Sequence, residues 1–171
     1  MTVQTTYICS RCGKEHKTWP ALAYFTPTAY FLLTKKEKKE IARLDSDFCV
    51  IRYPDETNWF IRCTLTQKVI DHCEDLDYGL WVSLSESDFE DYSAHFKSEN
   101  HQASYFGWLS NVLPDYQFKE AIPTTVITGS GDHRPQIVPM EDYDDPLVED
   151  YYNGITKEEA ERRIREMLDN C

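Results

Sequence analysis

From Phe48 to Leu65 the chain reads FCVIRYPDETNWFIRCTL, two β-rich runs on either side of a turn formed by Pro54, Asp55, Glu56, Thr57 and Asn58. A stretch of this kind commits the fold to antiparallel sheet, because a short turn joins only neighbouring strands that run in opposite directions. With Tyr53 opposite Trp59, Ile51 faces Ile61 and Cys49 faces Cys63. Strand alternation then sets Cys49, Ile51, Tyr53, Trp59, Ile61, Cys63 and Leu65 on one face. That face is expected to be core, with two thiols side by side on it.

Other elements follow from local signals. The prolines at 20 and 27 break WPALAYFTPTAYFLL, so extended or irregular packing is expected there. Thr34 with Glu37 forms a capping box for a helix running to about Leu44. YGLWVSL reads as a strand, and Ser85 then caps a helix over about 86–97, with Phe89, Tyr92 and Phe96 at helical spacing. Later strands are expected at YFGWLSN and over 119–128 and 135–139. Thr156 and Glu159 open a last helix with Ile164 and Leu168 on its buried side. The fold class is α+β, a mostly antiparallel sheet with helices packed on one side. At 171 residues the chain is long for a peptide and short for two domains, so one domain over 1–171 is expected, with an N-terminal knuckle over about 7–20 packed onto it.

That knuckle is ICSRCGKEH, residues 8–16. A Cys-x-x-Cys followed by glycine aims two thiolates at one point, as structural zinc sites do. A second Cys-x-x-Cys is absent, so the remaining ligands must come from elsewhere. Cys9, Cys12, His16 and Cys49 form the candidate set for zinc, with Cys63 as the alternative fourth ligand. Cys49 and Cys63 read equally well as small buried hydrophobes. Gly13, Lys14 and Pro20 promise no helix after the motif, which argues against thioredoxin-like chemistry. His72 and Cys73 sit in the acidic run IDHCEDLD, which reads as a solvated turn, and Cys171 as an exposed terminal thiol.

Charge restricts the partners. The net charge is -12, and it is divided unevenly: up to Lys68 there are 11 Lys and Arg against 7 Asp and Glu, and beyond it the acids dominate. Val69 to Phe96 holds eight acids and no Lys or Arg. Nucleic acid requires basic residues that displace counterions, so it is not the expected partner; an acidic surface suits a basic or mixed-charge protein. Asp71, Glu74, Asp75 and Asp77, with Trp108 beside them on an aromatic platform, are the candidate partner-binding residues. No apolar run is long enough for a bilayer and no export signal opens the chain, so a cytoplasmic protein with reduced cysteines and no membrane partner is expected.

No catalytic constellation is visible. GSGDHRPQ lacks the Lys-Ser/Thr ending of a phosphate loop and reads as a hairpin loop, MEDYDDPLVED reads as an acidic solvated loop, and His95 and His101 lack a nucleophile partner.

CSRCGKEH, DSDFCVI, WFIRCTL, WVSLSE and YFGWLSNVLP occur in this order and together resemble the bacterial family known as domain of unknown function 2199. The resemblance implies a bacterial cytosolic protein in which Cys9, Cys12, Gly13 and His16 are a family feature and Cys49 lies in a family motif; it implies no activity. The expected function is non-catalytic protein binding, with an immunity-type, toxin-neutralising protein as its concrete version. The rival is a metal- or thiol-dependent enzyme using Cys9 and Cys12.

Overall fold

The computed structural model describes residues 6–8 and 13–170, without the side chains of Tyr7 and His16; Cys9, Cys12 and Cys171 lie outside the described residues. In chain order the elements are β1 (Thr6–Ile8), β2 (Glu15–Lys17), β3 (Leu22–Ala23), α1 (Thr28–Phe31), α2 (Lys35–Glu40), β4 (Ala42–Leu44), β5 (Phe48–Arg52) and β6 (Thr57–Gln67). They continue as β7 (Val69–Ile70), β8 (Leu76–Leu84), α3 (Glu86–Ala94), β9 (Ser104–Leu109), β10 (Pro123–Ile127), β11 (Gln136–Pro139), α4 (Pro146–Asn153), β12 (Ile155–Thr156) and α5 (Lys157–Asp169).

The fold is α+β and dominated by its sheet, but the sheet closes. β8 pairs antiparallel with β6 and with β9, β10 pairs antiparallel with β9 and β11, and β11 returns to β6 in parallel at Gln136 and Thr64. The result is a five-stranded barrel, with β5 and β4 extending from β6 and β3 from β8. Cys63, Leu80, Val82, Val126 and Ile137 are almost wholly buried in its core. Gly107 makes room among them: a Cβ there would lie 3.0 Å from Val126 Cγ2 and 3.2 Å from Val82 Cβ. The buried Thr124 hydroxyl finds a partner by donating to the Gly107 carbonyl at 2.8 Å.

The hairpin forms with another register. Arg52 pairs with Thr57 and Cys49 with Phe60, so the loop is the four residues 53–56, and Thr57 and Asn58 belong to the ladder. Relative to the expected pairing the strands slip by three residues, and an odd slip turns one strand's side chains to the opposite face. Cys49 therefore packs with Ile51, Phe60 and Trp81, while Cys63 shares the other side with Ile61 and Leu65. The two thiols do not face each other.

Helices lie on both sides of this sheet, not on one. Ala29, Tyr30 and Leu33 cover the Cys49 face, and Phe89 and Tyr92 of α3 cover the other together with Phe48 and Trp59. The capping box of Thr34 and Glu37 is present, but α2 stops at Glu40 because Ala42–Leu44 pairs with β5. Likewise α3 ends at Ala94, short of Lys97, whose φ is +61°. The acidic run 140–150 is no loop over its second half: Asp145 accepts from the Leu147 N–H, Pro146 occupies the first turn and α4 follows. Thr156 caps α5 as expected and Ile164 is buried, whereas Leu168 is 44% exposed.

Candidate functional site

Of the sequence-derived metal set, Cys49 and Cys63 are the members whose side chains are described; Cys9 and Cys12 and the His16 side chain lie outside the described residues. Cys49 is fully buried among apolar side chains, and that burial pushes its thiol up to about 12; burial raises Cys63 as well. Both stay protonated at neutral pH in the absence of a metal. Cys49 sits opposite Phe60, which sits opposite Ser83 on β8. The 71–75 turn adjoins the far end of β8, seven residues away, or about 23 Å at strand rise.

The segment just after the N-terminal hairpin, at Trp19, is held at that turn. β1 and β2 pair from Thr6 opposite Lys17 to Ile8 opposite Glu15, and two residues beyond Lys17 the Trp19 backbone N–H donates to the Glu74 carboxylate at 3.3 and 3.4 Å. The Trp19 ring stacks on His72 with centroids 4.2 Å apart. Cys73 is thus the described cysteine beside the hairpin's anchor, and Cys49 is at the other end of the sheet.

The acidic candidates have structural work to do. Glu74 holds Trp19, Asp75 accepts from the Val69 N–H at 3.0 Å, and Asp77 accepts from the Thr66 hydroxyl at 2.9 Å. Asp71 takes the left-handed turn position with φ +58°, where Asp is better tolerated than most residues. Trp108 is not beside them: it pairs with Ser83, six residues and about 20 Å along β8 from Asp77.

What the structure does assemble around Trp108 is an apolar row on the outside of the barrel. Along β9 the side chains alternate, with Tyr105, Gly107 and Leu109 inward and Ser104, Phe106 and Trp108 outward. Phe106 and Trp108 meet edge to face, with centroids 4.9 Å apart, and are each nearly half exposed. On β10, Thr125 stands opposite Phe106 and the exposed Ile127 opposite Ser104, so the row continues onto a second strand. Ile127 escapes a sequence reading because PTTVI looks like any buried strand; only the pairing with β9 tells which of its faces is outside. Trp81, by contrast, is core.

No described helix is long and apolar enough to cross a membrane. No curated protein and no solved structure matches the chain. A family of uncharacterized proteins conserved in bacteria matches residues 8–155, from the end of β1 to the start of β12, and so takes in the whole barrel, the aromatic row and the 71–75 turn. By that match the chain belongs to DUF2199.

Proposed function

We propose that this DUF2199 protein is a non-catalytic binding module that docks a basic protein on the outward face of β9 and β10, in the manner of an immunity protein neutralising a toxin. The observation that carries the reading is the edge-to-face pair of Phe106 and Trp108 on an outward strand face, extended by Ile127. Trp and Phe held rigidly by a barrel strand provide a large apolar contact at little entropic cost, the usual make-up of an interface centre. The net charge of -12 supplies the attraction: it speeds the approach of a basic partner and makes the rate fall with salt.

The test is in-cell crosslinking of the wild-type chain and of a Phe106→Ser, Trp108→Asp variant in a bacterium that carries the protein naturally. Both positions are on the surface, so the variant should keep the wild-type melting temperature within a few degrees. A basic protein crosslinked to the wild type and lost from the variant, with an association rate that drops between low and physiological salt, is the expected result. The same crosslinked proteins in both chains would refute the docking face.

A second reading concerns Cys9 and Cys12, and the anchoring of Trp19 at the 71–75 turn favours it. We propose that a structural zinc is held by Cys9 and Cys12 together with Cys73 and His72, in place of Cys49 or Cys63. Elemental analysis of protein purified under reducing conditions should give about one zinc per chain, lost in Cys9→Ser, Cys12→Ser and in Cys73→Ser. Full zinc content in the Cys73→Ser chain, or none in the wild type, would overturn this ligand set.

A further inference from the structure

The end of α3 and the loop after it bring together three groups that no role described above uses. Asp91 lies on α3 and His95, four residues on, is its C-cap, while His101 comes from the loop before β9. One donor atom from each lies within 4.8 Å of the others. His101 Nε2 is 3.3 Å from Asp91 Oδ2, and His95 Nδ1 is 3.6 Å from Asp91 Oδ1. The two imidazoles stack with centroids 4.0 Å apart and planes within 5°. We propose that Asp91, His95 and His101 form a binding site for a divalent transition metal such as zinc, cobalt or nickel, with coordination positions left open to solvent.

Donor chemistry sets the class. Two imidazoles and one carboxylate suit zinc, cobalt, nickel and iron, whereas calcium and magnesium ask for oxygen alone. A cation at about 2.1 Å from each donor requires donors about 3.0–3.4 Å apart, and His101 Nε2 stands 3.3 Å from Asp91 Oδ2. His95 can close the remaining gap by side-chain rotation, since its side chain is 46% exposed.

The surroundings fit a ligand set. The Tyr105 hydroxyl donates to Asp91 Oδ2 at 2.6 Å and so orients the carboxylate; its oxygen also lies 3.0 Å from His101 Nε2, a contact that a metal on that nitrogen would replace. Tyr105 holds the Asp91 carboxyl below its usual range, with His101 and His95 adding to the effect, and the carboxylate is ionised at neutral pH. His95 Nδ1 is also 2.8 Å from the Asp91 carbonyl oxygen; an N–H donating there leaves the Nε2 lone pair for a metal, the arrangement common among metal-bound imidazoles. The spacing is D-x-x-x-H-x-x-x-x-x-H over 91–101, and its acidic setting concentrates cations.

The probe is cobalt(II), titrated into the full-length protein as purified, with any thiolate-held zinc in place. One further equivalent should bind and give visible d–d bands without the thiolate charge-transfer absorption near the ultraviolet. Metal binding to imidazole competes with protons, so the affinity should fall as the solution is made more acidic. His95→Gln and His101→Gln should each weaken this binding by at least about tenfold, and Tyr105→Phe, which keeps the ring and removes only the hydroxyl, by about tenfold. Histidine NMR resonances of His95 and His101 should shift or broaden with the same equivalence point. Absence of cobalt uptake, or uptake that both glutamine variants retain while their circular dichroism stays native, would overturn the site and leave the cluster as a hydrogen-bonded clasp for the loop over 97–103.

Discussion

Arg163→Met is expected to remove about 3–5 kcal/mol of stability, although methionine nearly matches the aliphatic part of the side chain it replaces. Arg163 projects from α5 against the barrel and its side chain is 4% exposed. Its guanidinium donates to the Tyr78 hydroxyl at 3.1 Å, the Tyr116 hydroxyl at 2.9 Å, Glu159 at 2.9 Å and Asp150 at 3.3 Å. Burial works against the charge, but Tyr78, Tyr116 and Glu159 outweigh it and hold the group firmly protonated. Removing it takes a partner from the buried Tyr78 and Tyr116 hydroxyls and from the part-exposed Glu159 and Asp150 carboxylates, and a buried group left without its partner costs more than the contact itself contributed. Urea unfolding followed by circular dichroism reads the loss directly, and a loss below about 1 kcal/mol would show that α5 is only loosely attached. The acid limb discriminates further. Glu159 is held down to about 2 by Arg162 first and Arg163 after it. A depressed carboxyl contributes stability that is full above its unfolded pKa of about 4.3 and is lost as pH falls through the folded value. The native protein should therefore lose stability between about pH 4.5 and 2, and the Arg163→Met chain should keep most of that slope because Arg162 remains.

The parts of this fold that could be read from the sequence are those that depend on neighbours within four residues. Thr34 with Glu37, Ser85 with Asp88 and Thr156 with Glu159 each place a hydroxyl on the backbone N–H three positions on, and all three helices begin where these signals put them. The Asp145-Pro146 pair carries the same kind of signal, but it is submerged in a run of acids that looks like solvated loop. Register is harder. Whether Thr57 and Asn58 are turn or ladder is undecided locally, and that choice alone moves Cys49 to the other side of the sheet from Cys63. Barrel closure is harder still, since it rests on Thr64 meeting the chain near Gln136 across more than seventy residues, with no periodic pattern to announce it. The site residues divide the same way. Trp108 was visible as an aromatic of interest, but its separation from the acidic turn follows from the length of β8. Asp91 and His95 are linked by helical spacing, while the approach of His101 is set by the loop's return to β9.

Trp81→Ala should also cost about 3–5 kcal/mol, and it carries a chemical readout of its own. The Trp81 side chain is fully buried between the barrel wall and the segment that leads from β3 into α1. Its indole N–H donates to the Tyr24 carbonyl at 2.9 Å. Its backbone N–H donates to Asn111 Oδ1, and the Asn111 amide nitrogen donates in turn to the Thr26 carbonyl at 2.9 Å. The 22–31 segment has little regular structure with which to hold itself, so these bonds and the packing around them fix it to the barrel. Deleting the indole leaves a cavity next to Cys49, whose thiol is inert in the native protein because burial holds it at about 12. Local opening of α1 should then admit solvent to that thiol. An exposed-thiol reagent at neutral pH should modify Cys49 measurably faster in Trp81→Ala than in the wild type, while Cys63, on the other face, stays protected under native conditions. Trp81→Phe separates packing from hydrogen bonding: it keeps most of the ring volume but leaves the Tyr24 carbonyl without its donor, at about 1–3 kcal/mol. If Trp81→Ala lost stability without any gain in Cys49 reactivity, the cavity would be collapsing in place and the 22–31 segment would be held by contacts other than Trp81.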